Sequence, residues 1–155
     1  MKTAVLVLLK RQNTVLFGIK KEPFGKGKLN APGGKVEGET ILECAVRETF
    51  DEVGVMVDPA TLEEVAVITF RADGIPFQEV HILCTETFTG EPHETESMEE
   101  PYWYPTDSLH ELEGDMHESD KKWMPQAIRG KRKFRADVFY DRPGEGFRDI
   151  KFFPY

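Results

Sequence analysis

The stretch from Gly33 to Val55, GGKVEGETILECAVRETFDEVGV, constrains this chain more than any other. Two glycines follow Pro32, and the pattern then turns helical. Leu42, Ala45, Val46, Thr49 and Val53 recur mostly at spacings of three and four, which predicts one buried helix face. Gly54 follows the last periodic residue, where a left-handed cap is expected. Glu48, Asp51 and Glu52 fall on the other side within about one turn. Like charges at that spacing repel unless a cation lies between them. Their type and crowding predict a Mg²⁺ site beside a glycine loop able to approach a phosphate.

The rest of the chain reads as strands interleaved with helices. Strands are expected at residues 3–9 and 14–20, turned by Gln12-Asn13, and a Gly-, Lys- and Pro-rich loop (21–35) follows. Two more are expected near 62–71 and 77–88, joined by Ala72-Asp73-Gly74. An acidic loop (89–100), a short strand at 101–105 and a helical turn at 106–112 come next. A second helix is expected from an N-cap at Ser119 to Arg129, stopped by Gly130, with Pro125 imposing a kink or a late start. Residues 133–141 and 147–153 read as a closing hairpin. This order predicts an α/β architecture, a mixed sheet flanked by helices.

With 155 residues the chain is expected to form one domain with a proper core. No apolar run approaches the roughly 20 residues that span a bilayer, so no membrane association is expected. TAVLVLL, between Lys2 and Lys10, is too short for a secretory signal and reads as a buried strand. The two cysteines, Cys44 and Cys84, lack metal-ligand spacing, which points to reduced thiols and a cytoplasmic protein. A net charge of -8 argues against binding long nucleic acid. A small nucleotide remains compatible, because a bound divalent ion offsets phosphate charge locally.

The central stretch also resembles the Nudix box, G-x5-E-x7-R-E-U-x-E-E-x-G-U, where U is bulky and aliphatic. Gly33, Glu39, Arg47, Glu48, Glu52 and Gly54 match it, while Thr49 and Asp51 depart. Six such matches at ordinary residue frequencies arise by chance roughly once in 10⁷ starting points, so the resemblance is specific. The loop GGKVEGE is one residue shorter than the usual G-G-K-x-E-x-G-E. The resemblance implies an α/β/α sandwich.

Outside the box, GIKKEPFGKGKLNAPGGKV, PYWYP, DMHESDKKWMP and GKRKFRADVFY resemble the MutT-like branch that hydrolyses oxidised purine nucleoside triphosphates such as 8-oxo-dGTP. By that resemblance Asn30 and Asp120 contact the purine, Lys20 and Phe24 line the site, and His117 stands where a tryptophan stacks on the base. Ser119 replaces a neighbouring aspartate and Leu29 a tryptophan. A further metal ligand is implied among Glu96, Glu99 and Glu100, with Glu99 and Glu96 preferred and the register open.

The implied chemistry is Mg²⁺-dependent hydrolysis to the monophosphate and pyrophosphate, Mn²⁺ being a substitute. Gly33, Glu48, Asp51, Glu52 and Glu99 would hold metal, and Glu48 or Glu52 would act as base. Gly34, Lys35 and Lys20 would meet the phosphates. Arg47 is expected to point toward Asp51 or Glu43 and to orient loop and carboxylates, with Glu39 bracing the helix entry. Two other readings stay open: a Nudix hydrolase acting on a canonical nucleotide, ADP-ribose or a capped RNA end, and a non-catalytic nucleotide-binding module. Oligomeric state is not legible.

Overall fold

The computed structural model describes residues 1–23 and 26–155, the side chains of residues 113 and 114 excepted. Strands β1 (Lys2–Arg11) and β2 (Thr14–Ile19) form the first hairpin, and β3 (Leu29–Asn30) and β4 (Gly33–Lys35) lead into helix α1 (Ile41–Val53). Then come β5 (Met56–Val57), β6 (Glu63–Ala72), β7 (Ile75–Thr85), β8 (Phe88–Thr89) and β9 (Tyr102–Pro105). A 3₁₀ segment (Thr106–Asp115), helix α2 (Asp120–Arg129) and the hairpin β10 (Phe134–Arg142) and β11 (Glu145–Pro154) complete the described order.

The main sheet runs β11-β10-β6-β7-β1-β2-β3, with β4 added to β1 and β9 to β2. It is mixed: β1 lies parallel to β7 and β6 to β10, and the other pairings are antiparallel. The edge of β1 away from β7 is divided. Ala4 to Leu6 pair with β4, whereas Lys10 and Arg11 pair with β2. The Val7 amide between them donates to the Pro32 carbonyl at 2.8 Å. This split delivers Gly33 and Gly34 to the middle of the sheet.

Alternation along β1 builds two cores. Ala4 and Leu8 join Phe17, Ile68 and Ile82 beneath Trp123, Met124, Ala127 and Ile128 of α2. Val5, Val7 and Leu9 join Leu83 beneath Cys44, Ala45 and Val53 of α1. A strand buried on both faces needs an unbroken apolar run, which is why TAVLVLL has no polar alternation. The result is the expected α/β/α sandwich.

Helix α1 departs from its expected orientation. Leu42 is 41% exposed and Val46 half-buried, while Cys44, Ala45, Thr49, Glu52 and Val53 face inward. The inward turn is set by polar partners that receive Glu52, described below. A capping box not anticipated from the sequence starts the helix. Thr40 Oγ1 accepts the Glu43 amide (3.1 Å) and Glu43 accepts the Thr40 amide (2.9 Å).

Helix α2 starts at Asp120, and Ser119 does not cap it. Ser119 is already helical, at φ -71° and ψ -32°, and its hydroxyl is engaged elsewhere. The Asp120 amide bonds the His117 carbonyl instead. Pro125 sits inside α2 without delaying its start. The 3₁₀ segment is longer than the expected turn, and β3, β4, β5 and β8 were not expected. At two or three residues they are too short to show alternation.

Candidate active site

Close packing fixes the glycine loop against α1. A Cβ at Gly33 would run into the Val5 carbonyl and Leu6, and one at Gly34 would fall on the Glu48 carboxylate. At Gly33 only glycine lets the backbone lie this close to β1, whereas at Gly34 a side chain would displace the Glu48 carboxylate.

Glu52 is 1% exposed. Its Oε1 accepts from Lys20 Nζ at 2.5 Å and from the Gly33 amide at 2.7 Å. Its Oε2 is buried with no hydrogen-bond partner among the described residues. Burial pushes the carboxyl above its ordinary pKa, while the Lys20 charge and the two hydrogen bonds pull it down.

Arg47 organises the other side. Nε and Nη2 grip Glu39 at 3.0 and 2.5 Å, Nη1 holds Glu48 at 2.6 Å, and Nη2 reaches the Lys35 carbonyl at 3.2 Å. The guanidinium drags Glu39 down to about 2. Glu48 is raised by burial, against the pull of Arg47, with Asp51 and Glu22 adding to the rise. Arg47 thus ties loop to helix, as expected, but through Glu39 and Glu48. Asp51 is 3.9 Å from Nη1, and Glu43 is occupied by the capping box.

The three carboxylates do not crowd together. Among the described residues no three His, Cys, Asp or Glu side chains form a group placed to hold a metal ion. Lys20 draws Glu52 inward, Arg47 draws Glu48 along the loop, and Asp51 stands exposed. The donor set still suits a hard divalent cation, being all carboxylate and carbonyl oxygen. The orphaned Glu52 Oε2 is the observation that fits best, since a buried acceptor without a donor is costly unless something satisfies it.

Lys20, read as a phosphate contact, is buried on Glu52. Lys35 is exposed at the end of β4. The acidic loop is stapled to the site by its backbone and by a threonine that the sequence did not flag. Thr95 Oγ1 donates to the Glu52 carbonyl (2.8 Å) and the His93 amide to that of Val53 (3.0 Å). Met98 is fully buried and bridges to Lys20, and the Glu99 amide bonds the Ile19 carbonyl (2.9 Å). Glu96, Glu99 and Glu100 are exposed on this loop. Glu99 borders a cavity of about 230 Å³ with Gly18 and Leu29, and Glu100 accepts the Glu94 amide (3.1 Å).

The expected base contacts lie on β3 and around the start of α2. Asp120 is buried at the start of α2, and desolvation raises its carboxyl to about 7. The Trp123 indole lowers it somewhat, yet its Nε1 is buried with no well-formed hydrogen bond among the described residues. Ser119 Oγ meets Tyr140 Oη at 2.9 Å, tying α2 to β10. His117 is half-buried, and burial plus nearby Lys28 depress its pKa, so the ring is neutral at pH 7. Asn30 pairs with Gly18 on β2, and its Oδ1 accepts the Ala31 amide at 2.8 Å, as in a turn. Phe24 lies outside the described residues.

Comparison with known proteins shows the family and the fold. The NUDIX domain model matches residues 1–127. The chain is 40% identical over 131 residues to the mouse (Mus musculus) oxidized purine nucleoside triphosphate hydrolase, covering 83% of this chain and 80% of that one. The zebrafish (Danio rerio) protein of the same name is 38% identical over 133 residues, covering 84% and 82%. In structure, the chain is similar to a MutT protein from Bacillus halodurans at a TM-score of 0.78, with 21% identity and 98% and 97% coverage. A MutT protein from Methanosarcina mazei gives 0.71, with 16% identity and 85% and 96% coverage. Identity that low speaks for the fold alone. Among the described residues no helix is long and apolar enough to cross a membrane. Box spacing, sandwich fold and relatives agree: the chain belongs to the Nudix family of hydrolases.

Proposed function

We propose that this chain hydrolyses an oxidised purine nucleoside triphosphate, of the 8-oxo-dGTP kind, to the monophosphate and pyrophosphate with Mg²⁺. The observation that carries the substrate choice is Asp120. A carboxyl raised to about 7 in a buried site can accept and donate hydrogen bonds at neutral pH, which reading a purine edge requires. The names of the mouse and zebrafish relatives support the same substrate class.

Glu48, Asp51, Glu52 and the Gly33 carbonyl are the groups that would hold the ion, with Glu99 a further one. When bound, Mg²⁺ offsets phosphate charge and makes water a stronger nucleophile. The chain's own residues do the rest. Arg47 holds Glu39, Glu48 and the Lys35 carbonyl in one frame, so the glycine loop cannot drift from the carboxylates. Glu48 and Glu52, both raised by burial, are the groups suited to take a proton from the attacking water. Asn30, His117 and Asp120 would face the base, and Gly34, Lys35 and Lys20 the phosphates.

Pyrophosphate release with Mg²⁺ across 8-oxo-dGTP, 2-hydroxy-dATP, canonical nucleotides and ADP-ribose tests this. Preference for an oxidised purine supports the reading; activity only elsewhere keeps the hydrolase and removes the base assignment. Glu52→Gln should cut turnover by orders of magnitude under conditions where circular dichroism shows the variant folded, a control needed because Lys20 loses its buried partner.

A further inference from the structure

A second cavity lies away from the proposed site. It encloses about 550 Å³ between the β1–β2 turn, the 3₁₀ segment and α2. Lys10 borders it, four residues along β1 from Leu6, the partner of Gly33. Four residues of strand separate the two places by roughly 13 Å.

Its interior is apolar and held in place. Leu109, Met116, Met124 and Ile128 line it and are all buried core residues. Its charge is opposite to that of the protein. Among the described residues that line it, Lys10, Lys121 and Arg129 stand against the carboxylate of Asp107, and Lys121 also pairs with the exposed Glu118 at 3.2 Å, on a chain of net charge -8. Lys121, Pro125 and Arg129 follow at i, i+4 and i+8, so one face of α2 carries a cation near each end of the opening. Lys10 is anchored by its bond to the Ile128 carbonyl (2.9 Å), and Arg129 makes no ion pair among the described residues. A volume in the range of small-ligand pockets, an apolar floor and a few convergent charges are the features of a ligand site.

We propose that this cavity is a second binding site, for a small organic anion with a flat apolar body and one carboxylate or phosphate. The apolar body lies against Met116, Met124 and Ile128, and the anion meets Lys121 and Arg129. The acidic remainder of the surface repels such a molecule, so the local cation excess sets where it binds.

The chain supplies its own reporters. Of its five methionines, Met116 and Met124 line this cavity, while Met98 lies buried beside Lys20 at the proposed active site. Carbon-13 methyl spectra of the whole chain, titrated with naphthoate and with neutral naphthamide, test the proposal. Expected are saturable shifts at Met116 and Met124 with Met98 still. Affinity should fall about fivefold for the amide, and likewise for naphthoate with Lys121→Gln/Arg129→Gln, roughly the worth of one ion pair. An unchanged Met98 signal in that variant confirms an intact fold. No shift up to millimolar naphthoate, equal binding of the amide, or shifts at Met98 alone would overturn the site.

Discussion

Lys20 Nζ rests 2.5 Å from Glu52 Oε1, and both side chains are almost wholly withdrawn from water. Removing one member strands the other, whereas removing both does not. Lys20→Met should therefore destabilise by about 3 kcal/mol near neutral pH, and Lys20→Met/Glu52→Gln should recover most of that loss. Urea unfolding of the two variants checks this. The single-variant loss should grow as pH rises, because Glu52 without its cation ionises only at a cost. A flat pH response would refute the pairing.

Arg47 makes contacts that only a planar fork can make at once. Arg47→Lys keeps the charge but cannot hold Glu39 with two nitrogens while reaching Glu48 and the Lys35 carbonyl. Turnover should drop by about tenfold or more, since misplacement of a positioned group by an ångström has that scale of effect. The unfolding midpoint should barely move. Steady-state kinetics beside a thermal melt separates the two.

Thr49 occupies a position where the Nudix pattern has a bulky aliphatic residue. Its hydroxyl is fully buried and unpaired among the described residues. Thr49→Val should stabilise by about 1 kcal/mol, raising Tm by about 2–4 °C. A drop in Tm would mean the hydroxyl has a partner after all.

Asp120 ties stability to pH. Its folded value of about 7 stands above the ordinary 3.8. Protonation is thus favoured by the folded state, and this group's contribution is fully present below about 3.8. It is lost as pH climbs to about 7, a total of roughly 4 kcal/mol at 1.36 kcal/mol per unit. Asp120→Asn removes the titration, so its stability advantage over the parent should widen from pH 5 to 7.5 and then level. Denaturation at four pH values reads this out, and a constant difference would contradict it.

Local patterns in the sequence reached far. Box spacing located the glycine loop, α1 and the acids, and the unbroken TAVLVLL run marked β1 as a two-faced core strand. Partner choice was less legible. Lys20 and Glu52 are 32 positions apart, and nothing near either announces the other. That pairing turns α1 inward, exposing Leu42 and separating Glu52 from Glu48. Ser119 misled for a similar reason. Its residue type suits an N-cap, but Tyr140, from the closing hairpin, claims the hydroxyl. Thr95 was invisible because a threonine in an acidic loop carries no periodic signal.

The staples on that loop have a mechanical consequence. Thr95 and His93 grip the final carbonyls of α1, while the Glu99 amide grips β2. Helix end, loop and strand therefore move as one body, and any displacement of the backbone bearing Glu99 is transmitted to Glu52. Changes in this segment, even at residues remote from a nucleotide, should act like a lever on the carboxylates and alter the catalytic rate before they alter binding.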